Sequence, residues 1–218
     1  MPRDRRHERA LSPGFTNTTM TTEIELCSAQ VLHALSKFAA GPKDIRQHLQ
    51  GVWIENRQDG CFLWASDGCI VAGLHACAKI EGESFEQIIP WSAISMVPKT
   101  KARVSLILGA HEPQLSVNGV RIPFPRSNMR MSPFRQIIPR EVTHKSAPFN
   151  TEMLDRFRNM AQALGRTKDV AGQIDLFQNG QQNAVVQIPG YPEFLGVIAP
   201  IRAKENLQPN IPSWAIQS

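Results

Sequence analysis

The sequence predicts an α+β fold of antiparallel sheets with helices on one face, built from repeated βαβββ units. Three observations predict it. Short runs alternate apolar and polar residues as half-buried strands do; three segments instead carry apolar residues at helical spacing; and those segments recur evenly. Helix starts near Ser28, Trp91 and Thr151 lie 63 and 60 residues apart, and a fixed period of this size marks a structural repeat. Strands that follow one another through short turns favour antiparallel hairpins over a parallel sheet.

In the first unit, residues 22–27 (TEIELC) alternate as a strand, and Ser28 is placed to cap a helix with Val31, Leu32, Leu35, Phe38 and Ala39 on one face, ended by Gly41-Pro42. Three strands follow at residues 52–56, 61–66 and 69–80, with turn signals at Gln58-Asp59-Gly60 and Asp67-Gly68. The second unit repeats the order: FEQIIP as a strand, WSAISMV as a short helix bounded by Pro90 and Pro98, then strands within residues 102–108, 113–117 and 119–124. Asn118-Gly119 is a strong hairpin signal, because both residues tolerate positive φ. In the third unit, residues 143–149 are the candidate opening strand. Asn150 caps a helix presenting Met153, Leu154, Phe157, Met160, Ala161 and Leu164, which Gly165 ends. Strands at 172–177, 183–188 and 194–201 complete the unit, the first two joined through Asn179-Gly180.

Charge and composition narrow the function. The 218 residues hold 24 Lys+Arg against 19 Asp+Glu, a formal net charge of +5. Residues 1–21 are read as a flexible basic leader; they hold Arg3, Arg5, Arg6 and Arg9 against Asp4 and Glu8, so +2 belongs to the leader and +3 to the body. That permits nucleic-acid binding where cations share a face, without implying it. No apolar run reaches the roughly 20 residues of a membrane span, and the leader lacks the apolar stretch of a secretory signal, so a cytoplasmic protein is expected. Cys27, Cys61, Cys69 and Cys77 form no CxxC pair and read as small buried thiols in strands rather than metal ligands. No phosphate-cradling, dinucleotide-binding or zinc-protease motif is present, and His33, His48, His75, His111 and His144 have no carboxylate at catalytic spacing. Asp67 beside Cys69 is explained by its hairpin turn. The expectation is a protein that is not an enzyme and uses no cofactor or metal.

Against this background, four stretches occur in a telling order. They are Lys43-Asp44-Ile45-Arg46-Gln47-His48-Leu49-Gln50-Gly51 with Ala65-Ser66-Asp67-Gly68 after it; Ile88-Ile89-Pro90; Ser132-Pro133-Phe134-Arg135-Gln136-Ile137-Ile138-Pro139; and Val197-Ile198-Ala199-Pro200-Ile201-Arg202. Together they resemble the bacterial DNA polymerase III beta subunit, the sliding clamp, over roughly residues 22–203. That family has an Asp-Val/Ile-Arg segment before a strand ending in Ala-Thr-Asp-Gly-His-Arg-Leu, and it closes on Val-Val-Met-Pro-Met-Arg. The resemblance implies a DNA-clamp-like fold, with residues 22–141 similar to the clamp's middle domain, 142–203 similar to the second half of its last domain, and 204–218 as a C-terminal tail. The departures are a chain with room for three units where clamps have six, and Cys69-Ile70-Val71 where the family has His-Arg-Leu.

The resemblance implies two surfaces. One is a helix-lined wall that holds duplex DNA by its phosphates without reading sequence; the candidate contacts are Lys37, Lys43, Arg46, Arg156, Arg158, Arg166 and Lys168, which read equally well as ordinary solvated helix faces. The other is a cleft that captures linear motifs of a polymerase or clamp loader, with candidates Leu49, Ser66, Gly68, Cys69, Ile70, Val71, Ser132, Ile137, Val197, Ile198, Ala199, Pro200, Ile201 and Arg202. Ile70, Val71, Val197 and Ile198 read as well as strand core. The basic run at 121–145 suits a partner or subunit interface.

Two functions fit: a DNA-tethered processivity or recruitment factor that assembles into a ring, or a peptide-binding or decoy module that does not encircle DNA. An odd unit calls for a partner, and rebuilding a twelve-unit ring from chains of three units requires four chains.

Overall fold

The computed structural model describes residues 22–77, 84–109, 112–165 and 172–202. The leader, the tail, the end of the third predicted strand, Arg166 and Lys168 lie outside the described residues. The elements run β1 (Thr22–Ser28), α1 (Ala29–Ser36), β2 (Gly51–Arg57), β3 (Gly60–Ser66), β4 (Ile70–Cys77), β5 (Phe85–Pro90), α2 (Trp91–Met96), β6 (Arg103–Leu108), β7 (Gln114–Val117), β8 (Val120–Pro123), α3 (Thr151–Leu164), β9 (Asp175–Phe177), β10 (Ala184–Ile188) and β11 (Tyr191–Ile198), with short 3-10 turns at Gln47–Leu49 and Phe134–Ile137.

Every strand pairing is antiparallel, and the first two units exchange their opening strands. A four-stranded sheet has the order β1-β6-β7-β8, and a seven-stranded sheet the order β5-β2-β3-β4-β11-β10-β9. Thus β1 pairs with β6 of the second unit, while β5 pairs with β2 of the first. The third unit adds its strands to the same sheet: β11 pairs with β4 from Phe194 opposite Leu74 to Ile198 opposite Ile70. The third unit is therefore continuous with the first through a shared ladder, not a separately docked piece.

The helices form where caps and apolar spacing meet. Ser28 Oγ accepts from the Val31 N–H at 3.3 Å, and Val31, Leu32 and Leu35 are buried. α1 stops at Ser36, earlier than the predicted Gly41, because the chain tightens: the N–H groups of Lys37, Phe38 and Ala39 bond three residues back, and that of Ala40 turns to the carbonyls of Leu49 and Ser66. Phe38 still reaches the core. In α3, Asn150 Oδ1 accepts from the Glu152 N–H at 2.9 Å, and the Gly165 N–H closes the last turn on Ala161 at 2.8 Å. Asn118 and Gly119 have φ of 51° and 81°, the positive values that their two-residue hairpin requires.

The predicted opening strand at 143–149 does not form. Side chains of the facing turn take its N–H groups: Thr143 donates to Asn179 Oδ1 at 3.0 Å and Ala147 to Gln178 Oε1 at 2.8 Å, while the segment's Lys145 carbonyl accepts from Gly180. Asn179, itself buried, also donates to the Glu141 carbonyl, so this turn anchors the connection in place of a ladder.

A single apolar core joins inward residues of both sheets to all three helices, with Phe38, Phe157 and Phe194 at its centre. A second, smaller cluster covers the opposite face of the seven-stranded sheet.

Candidate partner-binding site

Strand alternation builds this second face. In β2, Val52 and Ile54 turn toward the helices, leaving Trp53 and Glu55 on the outer side; in β3, Cys61, Leu63 and Ala65 turn inward, leaving Phe62, Trp64 and Ser66 outside. Trp53, Trp64, Val71, Ile88 and Val197 pack there with Leu49 and with Phe134 from the connection after β8. Large apolar residues on both faces of β2 and β3 identify strands covered on both sides. Gly73 lies opposite Trp64, and a Cβ at that position would sit 2.4 Å from the indole ring; the glycine lets the ring rest on the backbone of β4.

A buried charge organises the site. The Glu55 side chain is 8% exposed and pairs with Arg135, whose side chain is 32% exposed. Trp64 Nε1 donates to the same carboxylate oxygen at 3.0 Å. The guanidinium lies 4.8 Å from the Phe62 ring centre and 4.9 Å from that of Trp64, a cation–π sandwich. Phe62 in turn stacks on His75 at 4.9 Å. Isolated, a buried carboxylate costs several kcal/mol; a partner cation and a second donor offset that cost. Beside this stack runs a groove of about 780 Å³, floored by Phe62, Trp64, His75 and Leu195 and walled by Arg135, Ile138, Arg140, Pro192 and Glu193. Its apolar floor and charged rim suit a peptide segment.

The sequence-predicted cleft residues divide. Leu49, Val71 and Val197 join the outer cluster, and buried Ser66 lies on the same face opposite Val71. Ile70 and Ile198 point the other way, into the helix-side core, because the pleat alternates; they are strand core and offer nothing to a partner. Gly68 and Cys69 are exposed in the β3–β4 turn, so Cys69 is not the buried strand thiol expected. The Cys69 carbonyl accepts from Ala199 at 2.9 Å, tying the turn to the end of β11. Ile137, Ile201 and Arg202 are exposed, and Ser132, Ala199 and Pro200 half-buried. The sequence reading missed Trp53, Glu55, Phe62, Trp64 and Arg135; outward-facing aromatics flanking an acid in adjacent strands were the available signal.

The DNA candidates are less concentrated than the resemblance implies. Arg46 forks onto Asp44 and donates to the Asp67 carbonyl. Arg156 pairs with Asp67 at 2.6 Å and Arg158 with Asp155 at 2.5 Å. Lys37 lies 5.6 Å from the Trp91 ring centre, and Lys43 is exposed. Across the three α-helices the Asp, Glu, Lys and Arg residues are Glu152, Asp155, Arg156 and Arg158, which sum to zero. Among the described residues no group of three or more His, Cys, Asp and Glu could hold a metal ion, and no helix is long and apolar enough to cross a membrane.

No protein-family model and no curated protein sequence matches this chain. Solved structures do. The DNA polymerase III subunit beta of Borrelia burgdorferi superposes with a TM-score of 0.62 at 14% identity, covering 88% of this chain and 67% of that one. The sliding clamp of Bacillus subtilis gives 0.61 at 13% identity over 90% and 68%, and that of Pseudomonas aeruginosa 0.59 at 13% over 93% and 70%. These superpositions, at TM-scores of 0.59–0.62 over about nine-tenths of the chain, make this a divergent chain with the fold of the DNA polymerase III beta subunits, the sliding clamps.

Proposed function

We propose that this chain is a non-catalytic, clamp-like accessory factor of DNA replication, which docks a partner segment of a polymerase or clamp loader in the outer-face groove and tethers it to duplex DNA. The observation that carries the proposal is the match of about nine-tenths of the chain to sliding clamps. The groove beside the Glu55–Arg135 pair supports the partner role. Tethering is topological, so it requires a ring of several chains rather than high affinity, and weak sequence-blind phosphate contacts suffice. The test is retention on nicked circular DNA with release on linearisation, alongside light scattering for the oligomer. A stable monomer that slips off circular DNA removes the tethering role.

One observation favours a second reading, a peptide-binding module that does not encircle DNA: the charged side chains on the helices sum to zero. Binding of polymerase-derived motif peptides without DNA retention would select it.

A further inference from the structure

Cys61 and Cys77 face each other across the β3–β4 ladder. Phe62 pairs with His75, and the next pair is Cys61 with Cys77, so one residue on β3 is matched by two on β4. This bulge at Ala76 resets the pleat. In an unbroken ladder Cys61 would oppose Ala76 and Cys77 would turn outward; the extra residue brings Cys77 to the side of Cys61. Cys61 is fully buried, Cys77 half-buried against the same core, and both are free thiols. The two side chains hydrogen-bond each other. Opposed residues of antiparallel strands have Cα atoms about 4.5–5.5 Å apart, inside the range of roughly 4.4–6.8 Å that a disulfide spans. The other two cysteines lack this arrangement: Cys27 on β1 lies opposite Val104, and Cys69 is in the exposed β3–β4 turn.

We propose that Cys61 and Cys77 are a disulfide-forming pair, oxidised by a low-molecular-weight disulfide such as glutathione disulfide to a cystine that staples β3 to the end of β4. Cys77, the more exposed, attacks as thiolate on one glutathione sulfur, breaking that S–S bond and releasing one glutathione. Cys61 then loses its proton and attacks the Cys77 sulfur, forming the protein disulfide and expelling the second glutathione. Two protein thiols are oxidised, one glutathione disulfide is reduced to two glutathiones, and the two protons pass to the products. Burial holds both thiols above their ordinary range, Cys61 at about 12, with the Glu55 carboxylate adding to Cys61 and the Glu25 carboxylate to Cys77. Exchange is therefore slow at neutral pH and faster in mild alkali. The staple would lie one residue from Phe62 and two from His75, both in the groove floor.

The test uses the full reduced chain carrying Cys69→Ser, incubated with glutathione disulfide at about pH 8.5 and digested without reductant. The expected product is a peptide bearing Cys61 linked to one bearing Cys77, with a loss of two hydrogens per chain and a raised unfolding midpoint. Cys77→Ser, which changes a half-buried site and keeps the circular dichroism of the parent, should leave Cys61 unmodified until the chain is unfolded. Glutathione persisting on Cys77, or a fully reduced pair after prolonged incubation of a folded chain, would overturn the proposal.

Discussion

Arg135 reaches back 80 residues in sequence to Glu55, and its guanidinium lies between the rings of Phe62 and Trp64 as it does so. Arg135 thus acts with buried Phe134 to fix the connection after β8 to the outer face of the seven-stranded sheet. Arg135→Ala leaves the Glu55 carboxylate with less compensation; the expected cost is about 2–4 kcal/mol, below a fully buried pair because Arg135 is partly exposed. Arg135→Met combined with Glu55→Gln should recover part of that loss. Urea unfolding of the singles and the double measures the coupling.

The outer face also depends on what is missing at Gly73. A Cβ there meets the Trp64 indole at 2.4 Å, so Gly73→Ala must lift the ring or shift β4, at a cost of about 1–3 kcal/mol. Loss of the Trp64–Glu55 hydrogen bond should accompany it. A shift in tryptophan emission together with weaker peptide binding is the expected outcome.

Asp67 holds two units together. Its Oδ1 accepts from the N–H groups of Cys69 and Ile70, and its Oδ2 pairs with Arg156 on α3. Asp67→Ala removes turn and latch at once and should cost about 1–3 kcal/mol; Arg156→Ala removes only the latch and should cost about 1 kcal/mol or less. Hydrogen exchange should quicken in α3 for both variants, and in the β3–β4 turn for Asp67→Ala alone.

Salt dependence reports on the helix layer. With Lys37 and Lys43 as the described candidates not ion-paired to a carboxylate, duplex binding should weaken with a log–log salt slope of about −2 per chain, rising to about −4 where Arg166 and Lys168 also touch phosphate. A slope much steeper than −4 would place the contact on another surface, the basic run at 121–145 first.

The loop before β2 carries a pH signature. Hydrogen bonds from the Arg46 guanidinium and backbone N–H hold the Asp44 carboxyl down at about 2. A folded-state value below the unfolded one of roughly 3.9 means that its contribution is present above that unfolded value and fades as pH falls toward 2. An NMR titration should find the midpoint near 2, and Arg46→Ala should raise it toward the ordinary carboxylate range without fully reaching it, because the backbone N–H of residue 46 still donates to Asp44 Oδ1.

Much of this architecture is legible in the sequence for local reasons. Alternation exposes strands, Ser28 and Asn150 expose helix starts, and Asn118-Gly119 exposes its turn, because each acts within a few residues. Strand exchange is not legible, since a period of about 60 residues is the same whether β1 closes its own sheet or its neighbour's. Residues 143–149 carry a strand-like pattern, yet the amides of Gln178 and Asn179, some 30 residues on, take their hydrogen bonds. At the site, the resemblance named Leu49, Val71 and Val197 of the outer cluster, but only the pleat separates Val71 from Ile70 and Val197 from Ile198. Arg135 read as one charge in a basic run; its pairing with Glu55 is set by tertiary placement.

The exchanged opening strands also govern how the chain comes off the ribosome. Thr22 has its ladder partner at Leu108, and Trp53 has one of its two at Ile88, so neither of the first two units can complete a sheet while it is the only one synthesised. β1 must wait, with one apolar face uncovered, until β6 has emerged. Contacts this distant in sequence slow folding and lengthen the exposure of unpaired edges. Expression of the first unit alone should therefore yield aggregation-prone material rather than a small domain, and a chain ending just past β8 should remain so, because Phe38 still lacks Phe157 and the β4 edge still lacks β11.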